Sequence, residues 1–317
     1  MCHGAIRDIG QILDGCFFGD HAVEALKIMR NSKLISVLTY NIEVIHNLNK
    51  SDIQRLDKVD LLLIRKSLSI SSKSTRCLIL LELGLIPVKF LIMQKRMNFL
   101  HHLLTLEKSS LANSVFVEQV KKPVKGDFVQ LVRKDLNDCH ISLSSDEIRN
   151  LPKNKFKEFV KEKVEEAAFT ELVKEKYKTS KGNLLKYDEL KTQNYLLPGG
   201  NLNYMDMKRI LQMRIRDTPV RSNFGNAFGS KKCPASECSE EETQEHLYSS
   251  SCWNDKEDKT TVSNDTKYEN VFEDDINKQF EVMTSFFHKL KKEMKLSAKM
   301  GHRIGGRKIL LGEFRTL

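Results

Sequence analysis

Three cysteines and a histidine crowd into KKCPASECSEEETQEHLYSSSC, the stretch from Lys231 to Cys252. Cys233, Cys238, His246 and Cys252 follow the spacing Cys-x4-Cys-x7-His-x5-Cys. Three thiolates and one imidazole suit a tetrahedral Zn2+ ion with a structural role. The four-residue gap falls in the range zinc sites use, although a two-residue turn would aim more backbone N–H groups at sulfur. The competing reading is a relic whose thiols never meet. Cys2, Cys16, Cys77 and Cys139 are scattered without such spacing. With no secretory leader after Met1, this predicts an intracellular protein, cytoplasmic or nuclear and not secreted, in which clustered Cys and His mean metal before disulfide. The loop also carries Glu237, Glu240, Glu241, Glu242 and Glu245. Such a field repels phosphate, so the knuckle is expected to dock on a cationic segment of the chain.

Cationic segments exist. The net charge of +10 is unevenly distributed, with a surplus of +9 over residues 121–232 and a deficit of −10 over 233–288. YMDMKRILQMRIRD places Lys208, Arg209, Arg214 and Arg216 on a short helix against Asp206 and Asp217 alone. That helix and the pair Lys95-Arg96 are the phosphate-contacting candidates for an RNA or DNA partner. A solvated face, or pairing with the acidic segment, accounts for them equally well. His101 and His102 are adjacent, so on a helix they point about 100° apart and make a poor metal clamp; one of them is expected to face water. FEDD, Phe272 to Asp275, is an acidic helix start and not a catalytic hairpin. No catalytic triad and no phosphate-cradling glycine loop stands out.

The elements that must position these residues read as helices. The chain of 317 residues is 40 % hydrophobic and 30 % charged, which favours helices with one dry face. Apolar residues recur at helical spacing at Val23, Leu26, Met29 and Leu34, and again at Ile53, Leu56, Val59 and Leu63 behind a capping box of Ser51 and Gln54. Pro87 suits the first position of a helix after a turn at Gly84. CLILLELGLIPVKFLIM is interrupted by Glu82, Pro87 and Lys89 and so reads as core, not a membrane span. Phe156, Phe159, Val160, Val164, Ala167, Ala168 and Leu172 mark a long amphipathic helix, and Val271, Ile276, Phe280, Met283 and Phe287 the dry side of a last one.

LKIMRNSKLISVLTYNIEVIHNLNKSDIQRLDKVDLLLIRKSL, then LELGLIPVKFLIMQKRMNFLHHLL, then the Cys-Pro, Cys, Glu-His-Leu and Cys of the knuckle come in a distinctive order. In that order they resemble the C-terminal part of the reverse transcriptases of non-LTR (LINE-type) retrotransposons. Three departures stand out: Ile45-His46 where that family has Trp-Tyr, the wider first cysteine gap, and no catalytic palm. The resemblance implies a mostly α fold: a thumb-like helical array over 1–120 and a basic helical connector over 121–230. The Cys/His knuckle at 231–253, a loose linker at 254–267, a C-terminal helix at 268–296 and an unstructured basic tail at 297–317 follow. It further implies a truncated, non-catalytic fragment that binds template–primer, without the palm carboxylates that hold two catalytic Mg2+ ions. The alternatives are a helical protein-interaction module with a structural zinc site, or a relic with no function.

Overall fold

The computed structural model describes residues 21–45, 48–179, 184–199, 202–218, 220, 230–233, 238–249, 267–273 and 275–299, with side chains to 290. The expected 254–267 linker lies outside the described residues, save Lys267 at its end, as do Cys252 and 300–317 of the expected tail. Helices dominate, and the β structure among the described residues is a lone antiparallel bridge between Lys232 and Glu241. The chain divides into two compact units: residues 1–69, 75–183 and 187–193, and residues 70–74, 184–186 and 194–317.

The first unit begins with α1 (Ala22–Met29), which runs through a π-helical stretch, Arg30–Ile35, into a last turn at Ser36–Leu38. Ser32 donates its hydroxyl to the Ile28 carbonyl, and Ser36 donates to the Ser32 and Lys33 carbonyls. Such back-bonding competes with the helical ladder where it widens. Helix α2 (Lys50–Ser67) starts earlier than expected. The capping box is Asn49 with Asp52, not Ser51 with Gln54, because extended Asn49 accepts from Asp52 N at 3.0 Å and Asp52 accepts from Asn49 N at 3.2 Å. Helix α3 (Arg76–Leu83) ends at Gly84. Gly84 has φ +61, and a Cβ there would lie 2.4 Å from the Lys191 and Thr192 backbone, where Thr192 and Gln193 donate to the Leu83 and Glu82 carbonyls. A left-handed turn under a crossing backbone admits glycine alone.

Pro87 caps α4 (Val88–Thr105), whose buried residues between Val88 and Leu104 spread over most of its circumference, with His102 left outside. A helix with so broad a dry face has to be enclosed by several neighbours. Around it pack α2, α5 (Leu111–Lys121), α6 (Phe128–Asp138), α7 (Ser145–Asn150) and α8 (Lys153–Tyr177). In α8 the buried residues are Phe156, Val160, Val164, Ala168 and Leu172, with Phe159 and Ala167 half-buried beside them. His101 is inside, bonded to the Leu151 carbonyl at 2.9 Å and stacked on Phe156, while His102 is exposed.

Two buried ion pairs fasten the unit. The Arg30 guanidinium meets both oxygens of Asp60 at 2.7 Å and donates to the Ile86 carbonyl at 2.9 Å. Arg96 meets Asp135 at 2.6 and 3.1 Å, where burial pushes the Asp135 carboxyl up and Arg96 pulls it back.

In the second unit α9 (Tyr204–Arg214) packs against α11 (Ile276–Lys299) and the 3-10 turns Asn194–Leu196 and Tyr268–Phe272. The dry side of α11 is rotated from the expected one. Gln279, Val282, Met283, Phe286, Phe287 and Leu290 are buried and Phe280 is exposed, because Gln279 turns inward to the Glu273 carbonyl. Asp275 accepts from the N–H groups of Asn277 and Lys278 at 3.0 and 3.2 Å, as an acid at a helix start should. Among the described residues no single helix is long and apolar enough to cross a membrane; α3 and α4 pass together by composition, bent by 62° and buried in the first unit.

Removing Asp60 leaves a buried, unpaired guanidinium. Asp60→Ala is expected to cost about 3–5 kcal/mol of unfolding free energy, read from urea denaturation. A double Arg30→Met/Asp60→Leu variant should recover most of it.

Candidate metal centre

The knuckle is a short hairpin followed by a helix. Cys233 N donates to the Glu240 carbonyl and Glu242 N to the Lys231 carbonyl, both at 2.9 Å, so the Lys232–Glu241 bridge clamps the two arms. The chain then enters α10 (Gln244–Ser249), whose first turn is capped by Thr243: its hydroxyl accepts from His246 N at 3.0 Å, and its carbonyl accepts from Leu247 N. Ser or Thr before an apolar turn is a readable helix start. Each ligand therefore has its own support. Cys233 stands on the outgoing arm, Cys238 precedes the returning arm, and His246 projects from the capped turn.

The ligand atoms of Cys233, Cys238 and His246 all lie within 4.8 Å of one another, and such a group could hold a metal ion. Cys233 is buried and the His246 side chain is 7 % exposed. His246 Nε2 lies 3.5 Å from Cys238 Sγ, and the far nitrogen, Nδ1, lies 2.8 Å from a Glu240 carboxylate oxygen. A proton on Nδ1 donated to Glu240 leaves the Nε2 lone pair facing the thiols and fixes the orientation of the ring. Glu240 had been visible in the sequence only as one acid among several. Its role comes from a fold-back over six residues that composition does not reveal.

The acidic loop does engage the cationic helix, through residues other than Glu240–Glu242. Gln244 donates to the Met213 carbonyl on the helix, and Glu245 takes Arg216 at 2.7 Å; Arg216 stands two residues past the end of α9 and not on it as expected. Glu240 serves His246, Glu241 faces Lys231 at 3.8 Å, and Glu242 is buried.

The cations put forward for phosphate are placed as follows. Lys95 donates to the Thr39 carbonyl at 2.8 Å. Arg96 is enclosed by its pair with Asp135, and Arg214 is 1 % exposed, donating to the Val271 carbonyl at 3.0 Å beneath the Tyr195 ring. Lys208 is buried over Tyr204; Arg209 lies over Phe287 and pairs with Asp206 at 3.4 Å. Arg96 and Arg214 are thus corrected to internal supports, since both are buried with carboxylate or carbonyl oxygens at their N–H groups. Lys122, Lys125, Arg133 and Lys134, none of them in these segments, are exposed.

No protein-family profile, no curated protein and no solved structure matches the chain.

Glu240→Gln should keep the metal stoichiometry of the chain while lowering its affinity about tenfold or more. Cys238→Ser should abolish stoichiometric binding. Competition against a chromophoric chelator reads both; equal affinity for Glu240→Gln and the parent would remove Glu240 from the site.

Proposed function

We propose that this chain is the C-terminal, non-catalytic part of a non-LTR-type reverse transcriptase. In this reading it binds RNA or DNA through phosphate contacts, while a zinc ion on Cys233, Cys238, His246 and Cys252 staples its distal lobe. The observation that carries the reading is the convergence of three ligands at the place in the block order where the resemblance calls for a knuckle. Zinc is favoured by the ligand types and by one edge length. Bonds of about 2.3 Å to sulfur and about 2.0 Å to nitrogen in a tetrahedron set an S···N edge of about 3.5 Å, the separation of Cys238 Sγ from His246 Nε2. The zinc acts by fixing geometry: it holds the hairpin to α10, and α10 in turn to the turn that follows α9 through Glu245 and Arg216. No polymerisation step is assigned to these residues.

A second reading, a helical protein-interaction module with the same structural metal, is favoured by exposed apolar side chains at Ile28, Val37, Tyr40, Val44 and Ile45. Such a run is more than scattered surface apolarity.

Salt separates the two. With about four phosphate contacts, affinity for a single-stranded RNA should fall roughly fiftyfold between 50 and 200 mM salt. Titration by fluorescence anisotropy measures it. Absence of binding to RNA and DNA at 50 mM would contradict the nucleic-acid reading and leave the interaction module.

A further inference from the structure

With the arginines of the knuckle's partner helix engaged internally, the exposed cations of the first unit gather elsewhere. Helices α5 and α6 meet at a tight corner where Asp127 accepts from Val124 N at 2.7 Å and Gln130 N at 2.8 Å. Lys122 and Lys125 stand exposed on the corner, and Arg133 and Lys134 on the outer face of α6. The corner is folded onto that face, since Gln130 Oε1 accepts from Gly126 N at 3.2 Å, and Arg133 lies one turn, about 4.5 Å, farther along the axis.

The acids that would neutralise these cations are engaged otherwise. Asp127 caps α6, Asp135 is buried against Arg96, and Glu118 pairs with Lys121 at 3.0 Å. Asp138, at the end of α6, is the exposed acid of the stretch. None of Lys122, Lys125, Arg133 and Lys134 forms an ion pair among the described residues. Lys134 adds its charge to the field at buried Asp135, and the four exposed cations together produce a local positive field.

The corner also opens onto a groove. Ser114, Val115, Glu118, Gln119 and Lys122 line an open depression of about 420 Å³ along α5. Val115 is 51 % exposed, and Leu111, one turn earlier on the same face, is 80 % exposed. Lys122 belongs to both features, so the apolar surface borders the positive charge, with Glu118 between them held by Lys121.

We propose that this corner binds single-stranded nucleic acid, with Lys122, Lys125, Arg133 and Lys134 on the phosphates and unpaired bases against Val115 and Leu111. The proposal rests on the nucleic-acid reading above and names its surface. A duplex offers the same phosphates but hides its base faces, so the apolar half of the site favours the single strand.

The test uses the full chain, a 20-nucleotide single-stranded RNA, its DNA counterpart and an RNA duplex, titrated across salt. Lys122→Gln/Lys125→Gln/Arg133→Gln/Lys134→Gln should reduce the slope of log affinity against log salt by about 0.7 per lost contact, near 3 in all. Affinity at 100 mM should fall more than tenfold, with an unchanged thermal melt. A charge-matched control, Lys50→Gln/Arg55→Gln/Lys58→Gln/Lys66→Gln on the exposed face of α2, should lose far less. Val115→Ser should erase the preference for single strand over duplex. Equal losses in the two quadruple variants would mean that net charge alone binds, and would overturn the site. An unaffected corner variant in a chain that binds RNA would overturn the site while sparing the nucleic-acid reading. A parent chain that binds neither RNA nor DNA would remove both.

Discussion

A guanidinium taken out of water is costly unless oxygens meet its N–H groups, and that requirement organises both units of this chain. Arg30 is tolerable only where Asp60 of α2 and the carbonyl of Ile86 arrive together, so one side chain dictates how α1, α2 and the α3–α4 corner are placed. Arg96 imposes the same condition on α4 and α6 through Asp135. In the second unit Arg214 requires the 3-10 turn at Tyr268–Phe272, whose Val271 carbonyl it takes. Apolar burial supplies the driving force around these points, and the buried charges choose among the packings that burial alone would allow.

The same requirement sorts cations by job. Arginine has a planar, weakly hydrated head that forks onto carboxylates, whereas lysine carries a strongly hydrated point charge. Arg30, Arg96 and Arg214 are accordingly enclosed, and Arg209 and Arg216 are paired at the edge of the second unit's core. Lys122 and Lys125 remain in water, as does Arg133, whereas Lys208 is buried, so residue type biases the placement without deciding it. A count of positive charge along the sequence therefore locates cations without saying which of them meet a partner.

Elements governed by neighbours three or four residues away were legible. The stripe of α8 from Phe156 to Leu172, the break at Gly84, the helix start at Pro87 to within one residue, and the outward turn of one of the two adjacent histidines all follow from local periodicity or backbone chemistry. Cys233, Cys238 and His246 were legible because ligand chemistry is scarce and their spacing compact. Long-range pairing was not. Asp60 is 30 residues from Arg30 and Asp135 is 39 from Arg96, and no local pattern announces either. On α11 an inward Gln279 displaced Phe280, because a carbonyl at Glu273 was available to satisfy its amide. That partner is visible only once the turn before the helix is built. The start of α2 slipped for a related reason, since two capping pairs overlap in NKSDIQ and the backbone at Asn49 decided between them.

If the exposed corner meets the polyanion while the paired arginine helix supports the fold, single-stranded RNA should slow amide hydrogen exchange of the full chain across residues 121–134 and leave Tyr204–Arg214 unchanged. Slower exchange across Tyr204–Arg214 with the corner unchanged would contradict that arrangement.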